Sequence, residues 1–156
     1  LGLAVAAGAV TTLRRIPAWR DNGALLAAIL VEAPDCYTAL FGLGSHLESL
    51  PEPDRPGARR LYRRAIEVAP ERTGGLEARI NLANSYAEAG EWQDALATYA
   101  EAIDAAPGRF EPYLNRALLL ARLGRGREAL ADLERALELN PALPEAERLR
   151  ERLAPR

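Results

Sequence analysis

The sequence predicts an all-α fold, a stack of antiparallel helix hairpins, and three observations carry that prediction. Residue classes recur at a fixed interval, with a 34-residue unit ending at Pro107 and again at Pro141. The composition is 49% hydrophobic but only 6% aromatic, and alanine, leucine, arginine and glutamate, its commonest residues, lose little freedom in a helix. Glycine and proline stand at set places in each interval, where helices end.

Counted back from Pro107 and Pro141, alanine lies 24 residues before (Ala83, Ala117), glycine 17 (Gly90, Gly124) and alanine 12 (Ala95, Ala129). A large residue follows at 8 (Tyr99, Leu133) and alanine again at 5 (Ala102, Ala136). Two helices approach closely only where side chains are small, so the alanines mark helix crossings and the large residues fill the space beside them. Gly90 and Gly124 end each first helix in a left-handed conformation, and the prolines stop each second helix. Helical spacing agrees: Leu82, Tyr86 and Ala89 share one face, as do Leu96, Tyr99, Ala102 and Ile103. A hairpin alone leaves an apolar face wet, so neighbours must stack.

These intervals resemble the tetratricopeptide repeat family, whose helix-turn-helix unit of 34 residues places small, large and proline residues in this way. The resemblance implies a right-handed superhelix, with full repeats at 76–109 and 110–143. Arg116 departs from it, standing where the pattern prefers an aliphatic residue. A looser repeat is expected at 35–72, with Ala58, Tyr62, Ala65 and Ile66 in register with Pro70. Its proline-rich stretch Pro51 to Gly57 reads as a turn, and Thr73-Gly74-Gly75 as extra connection. Residues 16–34, containing Trp19, read as an amphipathic second helix without a full first partner. Residues 144–156 read as a capping helix in which Ala146, Leu149 and Leu153 share the buried face.

The segment 1–15 opens with an uncharged apolar run, Leu1 to Leu13, followed by Arg14 and Arg15. Thirteen residues fall short of the roughly twenty that cross a bilayer, so the run reads either as a buried helix or as the end of a transmembrane span.

The formal net charge of −2 disfavours generic nucleic-acid binding. Every basic residue is arginine, and the single cysteine, Cys36, and single histidine, His46, read as packing residues. No nucleophile–base pair, phosphate loop or metal-ligand spacing stands out, so neither catalysis nor a cofactor or metal is expected. The arginines at 55, 59, 60, 63 and 64 read as the outer side of an amphipathic helix, or else as a contact for anionic lipid headgroups.

Asparagine carries the functional expectation. Asn81 and Asn115 lie one repeat apart, 26 residues before their prolines, on the first helix of each unit. In the family the first helices line the concave groove, and a carboxamide pairs with both groups of a peptide backbone. The pair resembles the asparagine ladder of the O-linked N-acetylglucosamine transferase repeats, which implies an extended peptide or protein partner. The alternative is an amide bonded across to the neighbouring repeat. Asn84, Glu77, Glu88, Glu111 and Arg122 are the expected groove neighbours, and Gly42 stands near the equivalent place in the looser unit. Ile80 and Leu114 occupy places where a carboxylate-gripping groove would carry lysine.

Arg15-Ile16-Pro17-Ala18-Trp19-Arg20-Asp21 after the apolar run resembles the junction in transmembrane, tetratricopeptide-repeat O-mannosyltransferases. That resemblance implies a membrane-adjacent binding module of a glycosyltransferase, with its repeats periplasmic or lumenal. Arginines beside the span point instead toward the cytoplasm. The other reading is a free-standing adaptor.

Overall fold

The computed structural model describes residues 22–70 and 73–154, and every regular element in them is helical. In chain order these are α1 (Asn22–Glu32), α2 (Tyr37–Ser49), α3 (Arg55–Val68), α4 (Thr73–Glu88), α5 (Trp92–Ala105), α6 (Glu111–Arg122), α7 (Gly126–Leu139) and α8 (Pro144–Leu153). Residues 1–15, the start of the 16–34 helix and Trp19 lie outside the described residues.

Each helix packs on the next, and α2, α4 and α6 also touch in succession. The first helices therefore form one layer and α3, α5 and α7 the other, which is the geometry of a helix-hairpin solenoid. The alanines at the crossings account for this close approach. Ala58, Ala65, Ala83, Ala95, Ala102, Ala117, Ala129 and Ala136 are each 0% exposed. Between them, Tyr62, Tyr99 and Leu133 supply the volume, each standing eight residues before its proline and each buried.

The hairpin turns follow from glycine chemistry. Among the described residues only Gly90 (φ 79°) and Gly124 (φ 74°) adopt positive φ. The following amides reach back over the helix end, Glu91 N–H to the Tyr86 carbonyl at 3.0 Å and Arg125 N–H to that of Leu120 at 2.9 Å. A Cβ at Gly124 meets nothing within 4 Å, so there the whole cost of alanine is conformational. Gly124→Ala is expected to lower stability by about 1–2 kcal/mol, and Gly124→Asn by less, in denaturant titrations followed by circular dichroism.

Four local expectations change. The helix at 16–34 is not amphipathic where it is described: only Gly23 of α1 is buried, while Ile29 and Val31 are 37% and 83% exposed. This follows from its sequence, in which apolar residues surround the axis from Ala24 to Val31. The turn in the looser repeat ends at Asp54, and Arg55, Pro56 and Gly57 belong to α3. The Asp54 carboxylate accepts the Gly57 N–H at 2.9 Å, and proline in a first turn loses no helical hydrogen bond. Thr73, Gly74 and Gly75 open α4 instead of extending a connection. Gly75 sits so close to α3 that an added Cβ would lie 2.1 Å from the Ala69 carbonyl oxygen, so only glycine fits.

The fourth change concerns Arg55 and Arg59 of α3, which are partly buried and tied to the protein. Arg59 donates to the Ser85 carbonyl (2.9 Å) and hydroxyl (3.1 Å) and to Glu91 (2.9 Å), and lies 4.3 Å above the Tyr86 ring. Arg63 donates to the Tyr86 hydroxyl, Arg55 to Glu88, and Arg64 to Asp35 and Glu67. Arg55, Arg59 and Arg63 staple this repeat to the next, while Arg60, Arg63 and Arg64 are exposed on the outer side of the helix, as expected.

At the other end, α8 buries Ala146 and Leu149 on the α6–α7 cluster with Leu153 beside them. Glu145, Glu147, Arg148, Arg150, Glu151 and Arg152 face outward, giving the stack a polar terminus.

Candidate functional site in the inner groove

The layer formed by α2, α4 and α6 has no helices over its far side among the described residues. Between α4 and α6 it carries an open cavity of about 190 Å³, with Tyr99 of α5 contributing to its wall. Four of the seven residues expected from the sequence converge there: Asn84 and Glu88 from α4, and Asn115 and Arg122 from α6. Helical geometry accounts for this, because Asn84 and Glu88 are one turn apart, and Asn115 and Arg122 two turns apart, so each pair faces the same way.

The polar groups retain capacity to bind. The Tyr99 hydroxyl donates to Asn84 Oδ1, which holds that carboxamide with its amino group still able to donate. Burial, and then the Glu88 charge, raise the pKa of Tyr99 above the ordinary tyrosine range, so it stays a neutral donor. Asn115 makes no side-chain hydrogen bond among the described residues. Glu88 accepts from Arg55 at 3.2 Å, and the Arg122 guanidinium lies 5.7 Å from the Trp92 ring centre.

The remaining three expected residues stand elsewhere. Asn81 is half-buried and lies outside that cavity, near the hydroxyl of Tyr62 in the second helix of the preceding hairpin. Tyr62 meets Glu48 (3.1 Å) and Ser45 (3.3 Å), and burial above all pushes its pKa up to about 12. Glu77 is exposed near Tyr37 and Arg109. Glu111 is paired with Arg109 at 2.5 Å, and that hydrogen bond holds its carboxyl below the usual carboxylate range. At Gly42 an added Cβ would meet Leu26 at 3.2 Å, so the first layer has no amide rung where its partner is leucine.

Tyr99 and Tyr62 were read from the sequence only as bulk, yet their hydroxyls orient the groove. The available signal was the choice of tyrosine over the leucine found at 133. Two larger hollows lie between second helices, about 540 Å³ around Arg116 and Asp132 and about 410 Å³ around Arg63 and Tyr86. In the first, the charges are already satisfied by one another, Arg116 with Asp132 and Arg125 with Glu128. The smaller inner cavity is the better candidate because two of its polar residues, Asn115 and Arg122, make no side-chain hydrogen bond or ion pair among the described residues. No group of three or more His, Cys, Asp or Glu side chains among the described residues is placed to hold a metal ion.

A family model described as tetratricopeptide repeat matches residues 82–154, and a second of the same description matches 53–110. Residues 53–154 are tetratricopeptide repeats. Solved tetratricopeptide-type structures superimpose on the chain as well. MamA aligns with a TM-score of 0.70 and 16% identity over 82% of this chain and 72% of its own. The first repeat domain of Spaghetti (RPAP3), solved with the HSP90 peptide SRMEEVD, gives 0.66 and 20% over 75% and 89%. The OM64 repeat domain from Arabidopsis gives 0.64 and 23% over 75% and 93%. At these identities the likeness is one of fold. No curated protein matches the chain. Among the described residues no helix is long and apolar enough to cross a membrane.

Proposed function

We propose that the chain is a protein-binding tetratricopeptide scaffold that grips an extended peptide along α2, α4 and α6. The observation that carries this reading is the α4–α6 cavity, where Asn84, Asn115, Glu88 and Arg122 converge on a face that nothing in the chain covers among the described residues. Carboxamides offer a donor and an acceptor to peptide backbone without reading side chains. Neutral hydrogen bonds contribute about 0.5–1.5 kcal/mol each, so Asn84→Ala with Asn115→Ala is expected to weaken peptide binding roughly ten- to hundredfold in calorimetry. Unchanged affinity in that variant would remove the groove from the account.

The wider setting we propose is the binding module of a multi-span, glycosyltransferase-like membrane protein, with its repeats periplasmic or lumenal and catalysis outside this segment. The stretch Arg15 to Asp21 behind the apolar run supports this reading. Upstream coding sequence tests it: several apolar spans with an acidic pair in an early loop are expected, and an immediate start codon would leave a free-standing adaptor.

A further inference from the structure

The two hollows between second helices differ in charge. The one between α5 and α7 is balanced, since Arg116 and Arg125 face Asp132 and Glu128 across and along its walls. The one between α3 and α5, about 410 Å³, sets Glu67, Asp94 and Glu101 against one arginine, Arg63. Arg63 is taken by the Tyr86 hydroxyl and Glu67 by Arg64. Asp94 and Glu101 are exposed, and their carboxylates join no ion pair and accept no side-chain hydrogen bond among the described residues.

Repeat register shows how the imbalance arises. Leu82, Glu91 and Glu101 stand where the next repeat, 34 positions on, has Arg116, Arg125 and Arg135. Those three arginines pair with Asp132, Glu128 and Glu138. The α3–α5 hollow therefore lacks cations of the kind that the next repeat supplies from within.

The walls add a second observation. Leu82 and Tyr86 are buried beneath the hollow and Ile66 is half-buried, so its floor is mostly apolar. Thr98 lines it at only 7% exposure, and its hydroxyl gives its hydrogen to the Asp94 carbonyl at 2.8 Å, which leaves that oxygen able only to accept. Asp132, at the same place in the next repeat, accepts a guanidinium. Asp94 and Glu101 lie two turns apart on one side of α5, above this floor. An apolar floor, a buried acceptor and two unpaired carboxylates match a side chain with an aliphatic stem and a cationic end.

We infer that the outer valley between α3 and α5 docks a basic polypeptide segment, with an arginine stem over Ile66 and Leu82 and its charge toward Thr98, Asp94 and Glu101. This surface belongs to the second-helix layer and is separate from the inner groove. The test is fluorescence anisotropy of the full chain at low salt with two labelled peptides, repeating Ala-Arg-Ser and repeating Ala-Gln-Ser. The arginine peptide is expected to bind at least roughly tenfold more tightly. Asp94→Asn with Glu101→Gln should weaken it at least about threefold, because two exposed ion pairs are lost. Salt at about 1 M, where the screening length falls to about 3 Å, should weaken it as well. Both substitutions are close in shape and at exposed positions, and circular dichroism checks that the helices persist. Glu134→Gln with Glu145→Gln, elsewhere on the surface, and Asn84→Ala with Asn115→Ala, in the groove, should leave the arginine peptide's affinity unchanged. Absence of binding, equal weakening by the Glu134 and Glu145 changes, or weakening by the asparagine changes alone would each overturn the inference, and the last would still leave the groove reading standing.

Discussion

Tyr62→Ala is expected to lower stability by about 3–5 kcal/mol, the range for deleting a large aromatic from a packed interior. Tyr62 is 0% exposed and belongs to the largest apolar cluster, with Ala58, Leu82, Ala83 and Tyr99. Its ring packs 6.0 Å from that of Phe41, and the backbone of Gly44 approaches so closely that an added Cβ would lie 2.7 Å from the ring. A glycine shaped around one ring cannot collapse into the space that the ring leaves, so the cavity term is retained in full. Its hydroxyl adds a smaller share by joining Glu48 and Ser45. Tyr62→Phe is therefore expected to cost only about 1–2 kcal/mol. Chemical denaturation of the three proteins separates the terms, and a loss below about 1 kcal/mol for alanine would contradict this account of the packing.

Asp132→Ala comes next, with an expected loss of about 2–3 kcal/mol. Arg116 breaks the repeat pattern, and the structure supplies the compensation. Its Nε and a terminal nitrogen each donate to an Asp132 oxygen at 2.7 Å in a two-pronged pair. The Asp132 side chain is 8% exposed and that of Arg116 25%, so removing the acid strands a guanidinium that water only partly reaches. That partial access places the cost below the 3–5 kcal/mol typical of a fully buried pair. The preceding repeat holds Leu82 and Thr98 at the same two positions. Arg116→Leu with Asp132→Thr is therefore expected to stay within about 1 kcal/mol of the parent, because the pair is exchanged as a unit. A double variant as unstable as Asp132→Ala would show that the pair does more than satisfy itself.

These two sites also mark how far the sequence alone could be read. The hairpins were legible because their causes are local and recur: alanine at crossings, glycine after the first helix, proline after the second. Gly74 and Gly75 were misread because glycine normally weakens a helix, and the reason for Gly75 is the Ala69 carbonyl just past the end of α3. Arg59 was read as an outer residue because its partners Ser85 and Glu91 lie 26 and 32 positions away, beyond any periodicity within α3.

In the groove, register placed Asn81 and Asn115 alike, but only Asn115 lines the α4–α6 cavity. The Tyr62 hydroxyl meets a serine and a glutamate on its own first helix, while the Tyr99 hydroxyl is taken by Asn84. Those side-chain pairings have no signature in spacing.

The central claim, that the layer of first helices is a peptide-gripping face, is tested most directly by nuclear magnetic resonance of the asparagine side-chain amides during titration with an extended peptide that the full chain binds. Asn84 and Asn115 are expected to shift progressively, while Asn140, at the end of α7, stays still. Shifts that leave Asn84 and Asn115 unmoved and fall instead on the valley between α5 and α7, around Arg116 and Asp132, would contradict the claim.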